Sequence, residues 1–203
     1  MQKRLVSIPN SIWLQDYFKG YSNPNSKIKQ QINTGNLIKL KRGLYLRADQ
    51  LHDSSVLASA ANVLYGPSYI SFDYALRFYG LIPEAVRNIT SATFKKNRSK
   101  FFNNAAGTFF YRDIPSIVYP KGIYRNTEGS SAFLIASPEK ALCDKLFTIK
   151  SVRSIAGIEA LLFEDLRLDE DRFNELDFLE MKELSLLYKT ETTAGFYRYL
   201  GRL

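Results

Sequence analysis

The sequence predicts an α+β fold that is built in two parts. In residues 1–50, two short segments with the apolar spacing of helices precede two short strands. In residues 51–203, strands rich in β-branched and aromatic residues alternate with helices, and the last stretch is helical throughout. We therefore expect a small N-terminal unit over residues 1–50 and a mixed α/β body with a helical tail over residues 51–203.

The composition supports a folded chain. Of its 203 residues, 45% are hydrophobic and 24% are charged, which suits a packed core and argues against disorder. No run approaches the roughly 20 apolar residues that a membrane helix needs, and the start lacks the apolar segment of a signal peptide. The one cysteine, Cys143, fits a reducing compartment. We expect a cytoplasmic protein with no membrane partner.

Helix and turn signals define the N-terminal unit. Asn10 or Ser11 can cap a first helix, and Gly35 can end a second helix at its C′ position. Arg42-Gly43 suits a tight turn because glycine adopts positive φ readily. The predicted helices cover residues 10–19 and 26–34, and the predicted strands cover 37–41 and 44–47. Two helices followed by a hairpin with a basic tip are the order of a winged helix-turn-helix, here in a short form.

The body is predicted to alternate helices and strands. Ser71 can cap a helix that Gly80 ends, and Ser137-Pro138-Glu139 combines an N-cap, a proline at the first helical position and an early acid. The predicted helices cover residues 54–65, 72–79, 138–147, 155–163, 169–188 and 193–200, and the predicted strands cover 88–94, 107–114 and 132–135. The N-terminal unit is too small for a deep core, so we expect it to pack on the body through Trp13 and Phe18.

The charge is unevenly distributed along the chain. Residues 1–50 carry a net charge of +7, residues 51–150 carry +5, and residues 151–203 carry −4, for a total of +8. A basic segment commonly meets phosphate or an acidic partner. The alternative for the basic residues 1–50 is an ordinary solvated surface. For the acidic residues 151–203, an ordinary solvated surface is the interpretation that we favour.

The second predicted helix has a face that suits DNA. Ile28 and Ile32 lie one above the other and must face a core. The remaining face and its flanks carry only basic and uncharged polar residues: Lys27, Lys29, Gln30, Gln31, Asn33 and Thr34. Lysine neutralises phosphates, amides can read an adenine edge, and a helix fits the major groove. Lys39, Lys41 and Arg42 of the hairpin are predicted to hold the adjacent DNA backbone. The alternative is a polar surface helix with no ligand.

A second basic stretch lies between two predicted strands. It contains Lys95, Lys96, Arg98 and Lys100. As a loop it could contact nucleic acid or an acidic protein surface, and it could equally serve solubility alone. We therefore treat it as a candidate second basic site.

Four segments of the body, together with the hairpin, resemble a known family. The hairpin reads KRGLYL at 41–46, and the segments read PSYISFDYALRFYGLIPE at 67–84, NITSATF at 88–94, GTFFYRDI at 107–114 and IASPEKALCDKLF at 135–147. In this order they resemble the AbiEi family of antitoxins and transcriptional regulators, over roughly residues 35–150.

The resemblance implies a function. It implies an N-terminal winged helix-turn-helix that binds operator DNA and a C-terminal domain that counters a toxin encoded beside it, one that resembles a nucleotidyltransferase. Such antitoxins repress their own operon by binding inverted repeats, in pairs commonly classed as type IV. We expect an antitoxin and autorepressor with double-stranded operator DNA and this toxin as partners. The alternative is an antitoxin that binds its toxin directly and has little specific affinity for DNA.

Candidates for catalysis are weak. His52 is the single histidine, so no histidine cluster for zinc exists, and Cys143 has no neighbouring base and reads as a small core residue. Lys140 and Asp144 form an i,i+4 pair that we expect on a solvated helix face, or else in the antitoxin surface. Glu180-Met181-Lys182 matches a nuclease-like pattern but lies in the middle of a predicted helix. We expect no enzymatic activity, no metal and no cofactor.

Overall fold

The computed structural model describes residues 5–203, which begin with two helices and a hairpin. Helix α1 (Ser11–Tyr17) is capped by Asn10 and helix α2 (Pro24–Asn33) by Asn23. Strands β1 (Leu37–Lys41) and β2 (Leu44–Arg47) pair in antiparallel fashion. The predicted order of these elements and the bounds of both strands are confirmed. Helix α2 begins at Pro24 rather than Ser26 because proline occupies its first helical position.

The stretch before α1 lies along the outer edge of β2. The amide of Tyr45 donates to the Pro9 carbonyl at 3.0 Å, and that of Arg47 donates to the Ser7 carbonyl at 3.0 Å. Asn10 and Leu44 form an isolated β-bridge beside them. These bonds pair the edge of β2, so its backbone donors do not face solvent unpaired.

The side chains of the hairpin pack in two separate hydrophobic cores. Leu37 packs with Leu14, Phe18 and Ile28 in a small cluster between the hairpin and the two helices. Three other hairpin leucines, Leu40, Leu44 and Leu46, belong to the large core of the body. The expectation that the N-terminal unit packs on the body through Trp13 and Phe18 was therefore wrong. Those rings serve the small cluster, and the leucines of the hairpin make the contact.

The body is built on a mixed six-stranded sheet. Its strands are β3 (Ser68–Ile70), β4 (Ile89–Thr93), β5 (Lys100–Asn104), β6 (Gly107–Asp113), β7 (Ile123–Asn126) and β8 (Phe133–Ala136), in the spatial order β5-β6-β4-β3-β8-β7. Strand β3 runs parallel to β8 and β4 runs parallel to β6, whereas the other neighbours are antiparallel. With the helices around it, this sheet confirms the α+β class.

Helices cover both faces of this sheet. They are α3 (Ser54–Leu64), α4 (Phe72–Phe78), α5 (Pro138–Phe147), α6 (Ile155–Ala160), α7 (Glu170–Asn174), α8 (Phe178–Tyr188) and α9 (Glu191–Leu200). On one face, Tyr111 of β6 donates its hydroxyl to the Ala61 carbonyl of α3 at 2.7 Å. On the other, Tyr69 of β3 donates to Asp144 of α5 at 2.9 Å. The central strands are therefore buried between helical layers.

Three strands were not predicted from the sequence. They are β3, β5 and β7, and all three are short. Strand β3 has only three residues, too few to show an alternating apolar pattern. It is recognised as a strand by its pairing with neighbouring strands. Lys100 begins β5, so the basic stretch from Lys95 is partly loop and partly strand.

The helical tail differs from the prediction at three points. Helix α6 ends at Ala160 and is followed by a π-helical turn (Leu161–Asp165), and α9 begins at Glu191 rather than Thr193. The helix expected over residues 169–188 is two helices, α7 and α8, because Asp169 and Asp177 each cap a new start. By contrast, α5 has the predicted bounds, with Ser137 as N-cap and Pro138 at the first helical position. Within residues 5–203, no helix is both long enough and apolar enough to cross a membrane.

Candidate nucleic-acid interface

The outward face of α2 is exposed and uniformly non-acidic. Ile28 is buried and Ile32 half-buried, as their spacing predicts. Of the predicted contact residues on the helix and just beyond it, Lys29, Gln30, Asn33 and Thr34 are exposed. A side chain on this face can therefore reach a ligand without any rearrangement of the helix.

Hydrogen bonds order several polar side chains of α2. Lys27 donates from Nζ to Oε1 of Gln30 at 2.9 Å, and the same ammonium lies 4.9 Å from the centre of the Tyr21 ring. Gln31 accepts from the side-chain amide of Asn36 at 3.2 Å. Lys27 is consequently half-buried, and Gln30 is the more accessible member of its pair.

A bulge in β1 separates the lysines of the hairpin. The pairing of β1 with β2 shifts between Lys39, which faces Tyr45, and Lys41, which faces Leu44. Such a bulge re-aims the side chains that follow it. Lys39 stays on the hairpin face that carries Leu37 and the α1–α2 pair, whereas Lys41 turns to the body. Arg42 is exposed at the turn.

Two side-chain bonds attach the hairpin to the body. Lys41 donates from Nζ to the Leu64 carbonyl at 2.6 Å, at the C-terminal end of α3. A cation at this end also interacts favourably with the negative end of the helix dipole. Asn104 of β5 donates from Nδ2 to the Leu40 carbonyl at 3.1 Å. The hairpin is thereby held beside the sheet edge formed by β5.

The loop between β4 and β5 is held by one carboxylate. Asp113 accepts from the amides of Lys96, at 3.2 and 3.1 Å, and of Asn97, at 3.0 Å, and from the Thr93 hydroxyl at 3.2 Å. Lys95 and Asn97 have φ values of 56° and 54°, a region that side chains with a Cβ seldom occupy. The carboxylate holds this conformation, so the basic loop presents its side chains from an ordered backbone.

Contacts join the hairpin to this loop. Lys96 Nζ lies 5.2 Å from the centre of the Tyr65 ring. Tyr65 directly follows Leu64, whose carbonyl accepts the hydrogen bond from Lys41. The centres of the Tyr65 and Phe102 rings lie 6.1 Å apart, and Lys100 Nζ lies 5.5 Å from the centre of the Phe102 ring. Lys41, Lys96 and Lys100 are therefore linked through Leu64, Tyr65 and Phe102, and we call these three lysines with the two rings between them the basic ridge.

The structure brings some predicted site residues together and separates others. The hairpin and the second basic stretch, which were predicted as distinct, meet in the basic ridge. Lys95 has its Nζ 5.8 Å from the Phe94 ring, which packs on Tyr119 rather than on the rings of the ridge, and Arg98 is exposed on the same loop. The residues of α2, by contrast, lie across the hairpin from the ridge, on the side of the small cluster.

Sequence reasoning missed the residues that support the ridge. Tyr65 and Phe102 provide the aromatic surface below the lysines, and Asp113 and Asn104 hold the loop and the hairpin. The one local signal was the pair of aromatic residues directly after Lys100. Nothing in the sequence marks Asp113 as a partner of residues on another strand.

A buried ion pair contradicts one prediction. Lys140 and Asp144 were expected on a solvated face of α5, but both side chains are 0% exposed and their charged atoms lie 2.7 Å apart. Asp144 also accepts from the hydroxyls of Tyr188 at 2.6 Å, Tyr69 at 2.9 Å and Ser71 at 2.6 Å. The expectation failed because β3 and α8 both pack against this side of α5 and cover it.

The surroundings of the pair keep the two phenols protonated. Burial, with the negative charge of Asp144 as a smaller cause, raises the pKa of Tyr69 and of Tyr188 well above its ordinary value. Cys143 is buried on the same helix, as expected for a core residue, and burial raises the pKa of its thiol to about 12. In their protonated forms, these groups contribute packing and hydrogen bonds to the core.

The remaining candidates for chemistry are dispersed. Glu180, Met181 and Lys182 lie within α8, and His52 is exposed near the start of α3, which Asp53 caps. Among the residues that the structure describes, no group of three or more His, Cys, Asp or Glu side chains could hold a metal ion. In the comparisons with known proteins, no family model and no curated protein matches this chain.

Proposed function

We propose that this protein binds double-stranded DNA with a short winged helix-turn-helix, in which α2 is the recognition helix and the β1–β2 hairpin is the wing. Helix α2 would enter the major groove with Lys29, Gln30 and Asn33. Lys39 and Arg42 would contact the adjacent phosphates. This assignment follows the usual docking of such units, in which the helix reads bases and the wing holds the backbone.

The observation that carries the proposal is the continuity of the basic ridge with the hairpin. A wing of two or three cations holds few phosphates, and each neutralised phosphate adds to affinity through the release of counterions. The ridge extends the line of cations from Lys41 to Lys96 and Lys100 on an ordered surface. The carboxylate of Asp113 holds the backbone of this surface at Lys96 and Asn97.

The biological role that we propose is that of an antitoxin that represses its own operon. It rests on the resemblance of residues 35–150 to AbiEi proteins, which also implies a toxin that resembles a nucleotidyltransferase. Co-expression with the product of the neighbouring gene tests this role. We expect growth to be restored, and a neighbouring product whose toxicity is unaffected by the chain contradicts the antitoxin role.

The test of DNA binding is the salt dependence of affinity for the duplex that lies directly upstream of the coding sequence. Fluorescence anisotropy gives the slope of log K against log salt concentration. Lys39→Gln/Arg42→Gln and Lys96→Gln/Lys100→Gln should each flatten this slope by up to about 1.8, since each phosphate contact contributes about 0.9. Gln30→Ala should leave the slope unchanged and alter the preference among duplex sequences.

A matched control lies at the opposite edge of the sheet. Lys121 and Arg125 are exposed beside and on β7, whereas the ridge borders β5. Lys121→Gln/Arg125→Gln removes the same charge and should leave the slope unchanged. Equal slopes for the wild type and the hairpin and ridge variants would refute the proposed interface.

A further inference from the structure

Helix α8 is apolar on two sides, of which the fold covers one. On the inner side, Met181, Leu184 and Tyr188 are buried in the core of the body. On the outer side, Leu179 is 66% exposed and Leu186 is 55% exposed. Two leucines on the outside of a helix that is already packed on its inside leave apolar surface that a partner can bury.

Two opposite charges lie between the exposed leucines. With 100° per residue, Leu179, Lys182, Glu183 and Leu186 fall within about 100° of the helix circumference. Lys182 is half-buried and Glu183 exposed, and neither forms an ion pair or a side-chain hydrogen bond within residues 5–203. The outer face of α8 thus offers one unpaired cation and one unpaired anion at its centre.

The spacing of these four residues is symmetric. The midpoint between Lys182 and Glu183 is also the midpoint between Leu179 and Leu186. If a second α8 packs antiparallel on the first with a two-fold axis through this point, Lys182 faces Glu183 of the other copy, and the same pair forms again by symmetry. With a rise of 1.5 Å per residue, each Leu179 then meets a Leu186 about 5 Å from the axis.

We propose that α8 forms a homodimer interface with α8 of a second copy of this chain. Self-complementarity is what a two-fold interface requires, and this face has it in the spacing of its leucines and in its charges. The two charges at the centre of the face, Lys182 and Glu183, are the ones that the two-fold arrangement pairs.

The expected dimer is weak. One pair of helices of this length buries less than the roughly 1,600 Å² of a standard interface, so we expect dissociation constants in the micromolar range. The pairing requires no DNA. If the proposed function holds, two copies on neighbouring half-sites would pair more readily, because binding raises their effective concentration.

Reciprocal charge reversal tests the pairing in the full chain. Lys182→Glu places two acids at the centre of the face, and Glu183→Lys places two bases there, so each variant should repel itself. Sedimentation velocity over a range of about 1 to 200 μM should give a self-association constant weakened roughly tenfold or more for either variant. An equimolar mixture of the two should associate within about threefold of the wild type, because both ion pairs form between unlike copies.

Further variants separate a specific interface from a general effect of charge. The double variant Lys182→Glu/Glu183→Lys should dimerise like the wild type, and Leu186→Ser should not dimerise. Glu164→Lys, at an exposed position of the turn after α6, makes the same change of charge as Glu183→Lys and should leave dimerisation unchanged. A wild-type chain that stays monomeric over this range would overturn the proposal. So would a mixture of the two reversal variants that associates no better than either alone.

Discussion

At the scale of single residues, the most informative feature is the buried pair of Lys140 and Asp144. Removing two charges from water is costly, and the cost is met only where geometry and additional hydrogen bonds are good. Asp144 has those bonds, since it accepts from the lysine and from three hydroxyl groups. The pair joins α5 to β3 through Tyr69 and to α8 through Tyr188, so it holds three elements in one arrangement.

Lys140→Met should destabilise the protein strongly. It leaves the Asp144 carboxylate buried without its cation, a loss that costs about 3–5 kcal/mol in comparable pairs. Lys145 on the same helix is the control. Its ion pair with Asp73, at 2.6 Å, is partly exposed, so Lys145→Met should cost about 1 kcal/mol or less. Urea denaturation measures both, and equal losses would contradict the role assigned to burial.

Asp53 makes stability depend on pH. It caps α3 and accepts from the hydroxyls of Ser130 and Ser55, and these bonds lower its pKa from 3.8 to about 2. A carboxylate with a lowered pKa stabilises the fold above its unfolded pKa, and this contribution is lost as the pH falls through the folded value.

We expect the wild type to be more stable than Asp53→Asn at pH 7, because the asparagine cap lacks the charge and one acceptor oxygen. The advantage should shrink as the pH falls from about 4 to about 2, where the wild-type carboxyl becomes protonated. Melting temperatures at several pH values measure it. An advantage that stays constant over this range would contradict the assignment.

At the scale of elements, the loop between β4 and β5 shows how a strand end can organise a neighbouring loop. Asp113 at the end of β6 binds the backbone of Lys96 and Asn97. The loop therefore keeps two residues at positive φ that would otherwise favour other conformations.

Asp113→Asn should loosen this loop without unfolding the sheet. The amide replaces a charged acceptor by a neutral one, and one oxygen that accepted from the backbone is lost. Hydrogen exchange of the Lys96 and Asn97 amides should become faster, while exchange in β4 and β6 stays slow. Asp165→Asn, at an exposed position far along the chain, is the control. Unchanged exchange in the loop would show that another contact holds it.

At the scale of the whole molecule, the hairpin couples the N-terminal unit to the body. Leu37 belongs to the small cluster, and Leu40, Leu44 and Leu46 belong to the main core. Lys41 and Asn104 add hydrogen bonds across the same boundary. Such shared packing should make the two parts unfold together.

Trp13 is the only tryptophan and reports on the N-terminal unit. In the wild type, its fluorescence and the far-ultraviolet circular dichroism should follow one urea transition, as expected for cooperative unfolding. Leu46→Ala leaves a cavity at the boundary, which costs about 2–5 kcal/mol. The fluorescence transition should then shift to lower urea than the dichroism. Two separate transitions in the wild type would contradict the coupling.

Prediction from the sequence was accurate where the signal came from residues close together in the chain, and it failed where the feature depends on distant residues. A cap at Asn10 or Ser11, the Arg42-Gly43 turn and the start of α5 at Pro138 depend on residues within a few positions. The structure confirms all three, with Asn10 as the cap. The break between α7 and α8 was missed, although Asp177 is a local cap signal, because the apolar pattern continues across it. For the candidate site, the polar face of α2 could be predicted, but its relation to the loop at Lys96 could not.

The positive charge of the front, the helices with clear caps and the hairpin can all be read from the chain alone, because nearest neighbours and periodicity decide them. The folded arrangement alone decides that Lys140 and Asp144 are buried, that Lys41 reaches Leu64, and that Lys96 and Lys100 continue the hairpin surface. The physical reason is the same in each case. Periodicity shows that a side chain lies on a given face of its own element, whereas burial and contact depend on which distant element covers that face.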